Sequence, residues 1–403
     1  MPGRHILHVD ANSFYSSVEM QENPALRGKR IAVCGSKEDR HGIVLNARYP
    51  AKRMGVKTGM AIWEAQKCCR DLIIVPPHYR EYMRYSGYMR EILQDYTDQV
   101  EEFGIDESWA DVSGSVGLFG SAMTIAREIS ERVKRELGIT VSIGVSDNKV
   151  TAKLGSDYKK PDATTVISRE NWRDIVWPLP VGDLLFVGRA AQRTLGQYGV
   201  ETIGQLAACK PEMLEQLMGK MGVQLYRYAN GLDDAPVRPQ HQREPVKSVG
   251  NSTTFPENLT RWEEIRSGLQ LLSDSVAGRL RKEGLYCGGV AVAVKDAQFR
   301  TVSRQMRLGA PTHLMRDIFE AAQELTRRIW KAPTPVRLLS VTALYITDSA
   351  DSYQQMDLLA GDAPLRDQRQ EQLESAMDAI RGKYGRDAIT FGRGGKVGWN
   401  KDE

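Results

Sequence analysis

Cysteine is scarce in this chain: 403 residues include only Cys34, Cys68, Cys69, Cys209 and Cys287. Their spacings match no zinc site, so idle thiols in a reducing compartment are expected. Long apolar runs are also absent, and Arg4 and His5 interrupt any secretory pattern at the N-terminus. The sequence therefore predicts a cytoplasmic protein with no membrane partner.

A strong net charge of one sign is missing too. The formal net charge is +4, but residues 236–348 hold 17 Lys and Arg against 11 Asp and Glu, which leaves the rest slightly acidic. A basic C-terminal region beside an acid-centred N-terminal region predicts polyanion binding next to metal chemistry. The alternative is a solvated basic surface, which would show the same excess of Lys and Arg. The length predicts about three or four domains.

The most informative feature is a pair of adjacent acids, Asp106 and Glu107, between two short predicted strands. Asp10 ends another apolar strand far upstream. Carboxylates gathered at strand ends repel each other unless something neutralises them, and hard oxygen ligands suit Mg²⁺. The three acids predict a two-metal site for phosphoryl displacement. For the pair alone, a solvated turn is the alternative.

Hydrophobic periodicity predicts alternating elements in the first half of the chain. Strands are expected at 5–9, 29–34, 42–45, 100–105, 108–112 and 140–145, and helices at 11–19, 79–96 and 125–137. With 11–77 set aside as an insertion, the order is the split βαββαβ pattern, one antiparallel sheet with both helices on one face. This fold would bring the three acids together.

The second half predicts a helical domain, a basic linker and an α+β domain. Residues 178–234 include a tight turn at Val187 and Gly188, which is expected to begin a helix. The turn could belong to a helix-hairpin-helix element or to a plain αα-hairpin. After the linker 235–247, helices are expected at 262–285 and 312–330, and strands at 289–294, 301–308 and 338–346.

Cationic side chains follow one of these strands. By strict alternation Arg300 and Arg304 should share a face and Arg307 should point the other way, so that the strand could follow a sugar-phosphate backbone. From residue 349 the chain is a polar tail with one amphipathic helix through Leu373, Met377, Ile380 and Tyr384.

Several short motifs occur together in one order. They are HVDANSFYSSVE (8–19), GIDES (104–108), SIGVSDNKVTAK (142–153), KKPD (159–162), KSVG (247–250) and TFP (254–256). This set resembles the motifs of Y-family DNA polymerases, in particular the bacterial DNA polymerase IV branch, from residue 1 to about 348. A set in register is far more specific than any single motif.

The resemblance implies an α+β, multidomain right-hand polymerase that copies template DNA past lesions. Its parts would be a βαββαβ palm (1–10 and 78–167), small fingers (11–77), a helical thumb (168–235), a linker (236–246), an α+β little finger (247–348) and a tail (349–403). Primer–template DNA and deoxynucleoside triphosphates would be its partners, and it would act as a monomer.

The resemblance also implies roles at the site. Two Mg²⁺ ions would be bound by Asp10, Asp106, Glu107 and the backbone carbonyl of Ala11. The triphosphate would contact Tyr49, Lys52, Lys160 and the backbone of Phe14. Two positions depart from the family pattern, which often has Arg where Lys52 stands and Thr where Asn46 stands. Lys lacks the planar fork of Arg, so the contact of Lys52 with phosphate would be looser.

Selectivity and clamp binding complete the implied roles. Tyr15 matches the steric gate that excludes a ribose 2′-OH, and Ile43 matches the residue that roofs the templating base. The tail segment resembles a sliding-clamp pentapeptide made of Gln355, Met356, Asp357, Leu358 and Leu359. The alternative is a plain polar stretch.

Two rival functions are a non-catalytic DNA- or clamp-binding protein and a nucleotidyl cyclase on a similar palm.

Overall fold

The computed structural model describes residues 3–36, 42–239, 242, 244–348, 363–385 and 388–390. Internal contacts divide them into two units. The first contains residues 3–35 and 43–242, and the second contains the described residues from 244 onward together with 36 and 42. In these described ranges no helix is both long and apolar enough to span a membrane. The predicted tail motif at 355–359 lies outside them.

The first unit contains eight strands and twelve helices among its described residues. The strands are β1 (Ile6–Ala11), β2 (Ile31–Cys34), β3 (Val44–Ala47), β4 (Ile73–Val75), β5 (Val100–Gly104), β6 (Glu107–Asp111), β7 (Val141–Ser146) and β8 (Thr164–Val166). The helices are α1 (Phe14–Glu22), α2 (Tyr49–Arg53), α3 (Ile62–Cys68), α4 (Tyr79–Gln94), α5 (Val116–Phe119), α6 (Ala122–Arg132), α7 (Lys149–Tyr158), α8 (Trp172–Val176), α9 (Arg189–Gly196), α10 (Ile203–Ala207), α11 (Pro211–Met218) and α12 (Lys220–Ala229).

The central sheet has the order β5-β6-β1-β7-β8, and the predicted βαββαβ order is confirmed. Alternation along β1 sends Leu7 and Val9 into the core that α4 and α6 cover, and His8 and Asp10 to the opposite face. That opposite face carries α7, which packs on β7 and β1. The sequence interpretation omitted α7 and the parallel edge strand β8, so the sheet is covered on both faces rather than one.

Close packing of α7 on β7 depends on Gly144, and we expect Gly144→Ala to destabilise the fold. A Cβ there would lie 1.8 Å from the Ala152 carbonyl oxygen, so the helix would have to move. The midpoint of thermal unfolding should fall by about 5 °C or more. Gly87→Ala in α4 is the matched control, because a Cβ there meets no atom within 4 Å. Equal midpoints for the parent and Gly144→Ala would contradict the argument.

The rest of the first unit forms a small sheet and a helical cluster. The sheet, of order β3-β2-β4, lies within the predicted insertion and is accompanied by α2 and α3. Helices α8 to α12 share one apolar core that includes Trp172, Leu195 and Leu225. The predicted turn is found, with Gly188 as the N-cap residue of α9. A helix-hairpin-helix and a plain αα-hairpin both remain compatible with it.

The second unit is a four-stranded antiparallel sheet of order β11-β10-β12-β9 with helices packed on one face. Its elements are β9 (Ser248–Leu259), α13 (Trp262–Lys282), β10 (Tyr286–Asp296), β11 (Thr301–Thr312), α14 (Met315–Ile329), β12 (Val336–Thr347) and α15 (Ala363–Tyr384). Sequence reasoning missed β9 as a strand. Its Pro256 is tolerated because β9 is at the sheet edge and because the pairing of β9 with β12 is irregular between Thr254 and Leu259.

The prediction for the arginines of β11 needs one correction. Arg300 precedes β11 and does not share a strand face with Arg304; its N–H bonds to Asp296 Oδ1 at 2.9 Å in the connection. Arg304 and Arg307 do point to opposite faces, since they are paired with Val292 and Gly289.

The tail helix is present as α15, but its predicted apolar stripe is wrong. Of that stripe Met377 is buried, whereas Leu373 and Tyr384 are exposed. A buried ion pair between Glu374 and Arg281 of α13 supports the docking instead. Pairing of charges therefore replaces the expected apolar contacts.

Candidate active site

Three carboxylates meet where β1 ends. Asp10 is paired in register with Glu107, the first residue of β6. Asp106 lies in the turn before β6, and its carbonyl oxygen accepts a 2.9 Å hydrogen bond from the N–H of Ala11. The three side chains line one pocket of about 240 Å³. The antiparallel pairing of two strands thus brings together acids that are far apart in the sequence.

Two lysines neutralise part of the charge of this cluster. Lys153 Nζ lies 2.9 Å from Asp10 Oδ2 and 2.6 Å from Glu107 Oε2. Lys160 Nζ lies 2.7 Å from the same Asp10 oxygen. Both ammonium groups also contact Asp157, at 3.2 Å and 2.6 Å. The carboxylates therefore form a position where positive charge is held.

The acids differ in how readily they take up a proton. Burial acts to raise the pKa of Asp10, but the charges of Lys153 and Lys160 outweigh it, and that pKa lies below its ordinary value. Burial raises the pKa of Asp106 and of Glu107, and the negative charge of Asp10 raises both further. Such a cluster is short of positive charge, and a divalent cation would relieve the repulsion.

His8 lies beside the carboxylates on the same face of the sheet. Its Nδ1 is 2.8 Å from Ser156 Oγ, and its Nε2 is 3.5 Å from Glu107 Oε2. Burial and the charge of Lys153 lower the pKa of His8, so the ring is neutral. Ligand atoms of His8, Asp10 and Glu107 lie within 4.8 Å of one another, a spacing at which one metal ion could contact them all.

The predicted triphosphate contacts line the same pocket. Tyr49, Lys52 and Lys160 all border it, as does Asn46. Lys52 Nζ lies 4.8 Å from the centroid of the Tyr49 ring. Burial lowers the pKa of Lys52, and the nearby charge of Lys160 adds to the effect. A concentration of cations beside the acids suits a polyanionic ligand.

The selectivity residues lie outside this pocket lining. The side chain of Phe14, whose backbone is expected to contact the triphosphate, is buried in the main core. Tyr15, in the first turn of α1, stacks on Tyr82 with ring centroids 4.2 Å apart and planes 9° apart. Ile43 is 44% exposed and bridges to Ala61.

Sequence reasoning gave no role to Lys153, although it lies in the quoted motif 142–153. A usable signal was its spacing, since Lys149 and Lys153 lie four residues apart and therefore on one face of α7. Lys149 Nζ binds Glu101 at 2.7 Å, and Lys153 binds the catalytic candidates. A helix that follows a strand and carries two such lysines indicates acids on the sheet below it.

Comparison with known proteins gives consistent matches. The model of the impB/mucB/samB family matches residues 9–157, and that of its C-terminal domain matches residues 246–358. DNA polymerase IV of Acetivibrio thermocellus is 45% identical over 382 residues, which cover 95% of each chain. DNA polymerase IV 1 of Bacillus subtilis is 38% identical over 394 residues, which cover 97% of this chain and 94% of that one.

A solved chimera of Y-family DNA polymerases has the same fold, with a TM-score of 0.75 at 24% sequence identity, over 86% of this chain and 100% of that one. The first matched region contains Asp10, Asp106, Glu107 and Lys153. The second contains the sheet of the second unit. The chain therefore belongs to the impB/mucB/samB family, has the Y-family polymerase fold, and is a DNA-directed DNA polymerase.

Proposed function

We propose that this polymerase adds deoxynucleotides to a primer 3′-OH on damaged as well as intact templates, and so acts in translesion synthesis and DNA repair. The observation that carries the proposal is the pocket in which Asp10, Asp106 and Glu107 face Lys52 and Lys160. Phosphoryl transfer needs such an arrangement because its catalysis is mostly positioning and charge neutralisation.

Primer extension with all four deoxynucleotides on a panel of damaged templates tests this function. We expect extension past several lesions that stop a replicative polymerase used as reference. No template-dependent extension at all would refute the polymerase role at this site. Extension that stops at every lesion would refute only the translesion role.

Two Mg²⁺ ions would be held by Asp10, Asp106, Glu107 and the carbonyl oxygen of Ala11. The donors fit, because hard carboxylate oxygens suit Mg²⁺ and because the ammonium of Lys153 already occupies the space between Asp10 and Glu107. When bound, Mg²⁺ lowers the pKa of the 3′-OH and neutralises triphosphate charge. The protein contributes rigid placement, since these ligands lie on the paired ends of β1 and β6 and in the turn that joins β5 to β6.

Lys52, Lys160 and Tyr49, which line the same pocket, would contact the triphosphate. Asn46 stands where the family often has Thr, and its Oδ1 accepts a 2.6 Å hydrogen bond from Ser16 Oγ. That bond leaves the amide nitrogen of Asn46 to donate into the pocket that it lines. The departure at Asn46 is therefore compatible with phosphate binding.

The second unit would bind duplex DNA through the open face of its sheet. On that face the register places Gly250, Thr342, Ala291 and Gln305 side by side across the four strands. Arg307 lies on the same face, over the ring of Tyr345 at 4.2 Å. Small and polar side chains allow a phosphate backbone to approach without reading sequence. Binding to the phosphates is electrostatic, so DNA affinity should fall steeply with salt.

The part boundaries given above would then apply: palm 1–10 and 78–167, fingers 11–77, thumb 168–235 and little finger 247–348. The enzyme would act as a monomer in the bacterial cytoplasm. Gel filtration with light scattering tests the monomeric state, and a mass of twice 45.1 kDa would contradict it.

Ile43→Ala should widen the range of tolerated lesions, because a branched side chain over the templating base leaves less room than a methyl group. Ile43 is exposed, so its truncation should not disturb the core. Bypass of bulky minor-groove adducts, relative to extension on undamaged template, is the measurement. Equal relative bypass by the variant and the parent would count against this role.

The segment 355–359 lies outside the described residues, and its clamp-binding role is proposed from its resemblance alone. Deleting Gln355 to Leu359 should abolish the increase in processivity that a bacterial sliding clamp gives, while basal extension stays at the parent level. The reason is that a tethered second contact raises the effective concentration at the primer end. Unchanged stimulation by the clamp would eliminate the idea.

A further inference from the structure

The ring of Tyr15 stacks on a buried side chain that is itself held by a hydrogen bond. Tyr82, in the first turn of α4, is fully buried and stacks on Tyr15. Its hydroxyl donates a hydrogen bond to Oε1 of Glu19. Glu19 is 4% exposed and lies four residues after Tyr15 on α1. Tyr82 therefore contacts α1 at two points, through its ring face and through its hydroxyl.

The Glu19 carboxylate is also held from the start of α4. Nδ1 of His78, the N-cap residue of that helix, lies 2.9 Å from Oε1 and 3.0 Å from Oε2 of Glu19. Burial and the hydrogen bond to Glu19 raise the pKa of Tyr82, so its hydroxyl stays a donor. Hydrogen bonds to a buried carboxylate are strong, because leaving that charge unpaired is costly.

This arrangement fixes the position of the Tyr15 ring relative to α4. The ring of Tyr82 has little freedom to rotate while its hydroxyl is bound to Glu19. The ring of Tyr15 stacks on it and therefore cannot move toward α4. Tyr79 closes a second side, with its ring centroid 6.0 Å from that of Tyr15 in an edge-on geometry. Exclusion by a steric clash depends on such rigidity, since a ring that can move away no longer clashes.

We propose that Glu19, acting through Tyr82, is a positioning residue for discrimination between deoxyribose and ribose. The inference rests on the proposed function and on the role that the family resemblance implies for Tyr15, the steric gate. Glu19 does not line the pocket that holds the three carboxylates. Its loss should therefore change the choice of sugar far more than the rate with the correct nucleotide.

The test compares Glu19→Ala and Tyr82→Phe with two matched controls from the same helices. Tyr85 is one turn further along α4, and its hydroxyl bonds to Glu22 of α1. Glu22→Ala and Tyr85→Phe therefore remove the same two kinds of group at a more exposed position away from Tyr15. The readout is kcat/KM for a deoxynucleotide divided by kcat/KM for the matching ribonucleotide, both opposite the same template base.

We expect this ratio to fall about tenfold in Glu19→Ala and in Tyr82→Phe, the order of effect of losing one hydrogen bond to a charged group. The kcat/KM for the deoxynucleotide should stay within about threefold of the parent value. Glu19→Gln keeps an acceptor oxygen and should give an intermediate ratio. Glu22→Ala and Tyr85→Phe should keep the parent ratio.

Including Tyr15→Ala separates two kinds of failure. An unchanged ratio in Tyr15→Ala would overturn the steric gate and with it this inference. A relaxed ratio in Tyr15→Ala with parent ratios in Glu19→Ala and Tyr82→Phe would overturn the positioning role alone. Lower melting temperatures and lower rates with a parent ratio would also overturn it, since a merely structural role predicts that outcome.

Discussion

Asp106→Asn should reduce nucleotide incorporation by a factor on the order of 10³ or more, since several kcal/mol of charge stabilisation are lost with one metal-binding carboxylate. The substitution keeps the shape of the side chain. The backbone carbonyl of Asp106, which accepts from the N–H of Ala11, is unaffected, so the turn should hold its geometry. Single-turnover incorporation on a primed template, with DNA affinity measured separately, is the appropriate experiment.

Glu102→Gln is the matched control for Asp106→Asn. Glu102 lies on β5 of the same hairpin, but it pairs with Arg90 at the surface, at 2.7 Å, and does not line the pocket. Exposed ion pairs contribute little, so rates for this variant should equal those of the parent. Incorporation by Asp106→Asn within tenfold of the parent rate, or DNA binding lost in parallel, would show that the acids have another role.

Tyr15→Ala should remove most discrimination against ribonucleotides, with a fall on the order of 100-fold in the kcat/KM ratio of deoxynucleotide to ribonucleotide. The physical reason is repulsion. The aromatic ring would occupy the space beneath the incoming sugar, and an alanine side chain leaves that space free for a 2′-OH. Competition between the two nucleotides for one template position measures the ratio directly.

Tyr15→Phe is the informative companion to this variant. It keeps the ring that stacks on Tyr82, so discrimination should stay near the parent level. A loss in Tyr15→Phe as large as that in Tyr15→Ala would mean that the hydroxyl acts by hydrogen bonding and that no steric gate exists at this position.

Local patterns predicted the fold well where each strand or helix buries one regular face. Strands β1, β5, β6 and β7 and helices α4 and α6 were found within a few residues of the expected limits. Among the elements that were missed, β9 and α7 were missed for different reasons. The polar strand β9 carries a proline, which its edge position and its irregular pairing with β12 permit. Helix α7 follows β7 after a very short connection, and its residues were noted as a motif without being given a conformation.

The same contrast holds for the candidate site. Short motifs identified Asp10, Asp106, Glu107 and Tyr15, because their neighbours in sequence are characteristic. His8, Glu19 and Lys153 lie within the same motifs but were given no role from them, and Tyr82 lies in none of the motifs. Each of these four side chains contacts a partner at least 46 residues away, and the contact depends on how α7 and α4 pack.

The amino-acid sequence alone determined the family, the order of the elements and the three acids, because these are properties of local spacing and of motifs in register. The tertiary structure alone decided that Lys153 bridges Asp10 and Glu107, and that Glu19 and Tyr82 support Tyr15. The physical reason is that charge pairing and ring stacking act over a few ångströms in space, and only the packing of α7 and α4 sets those distances.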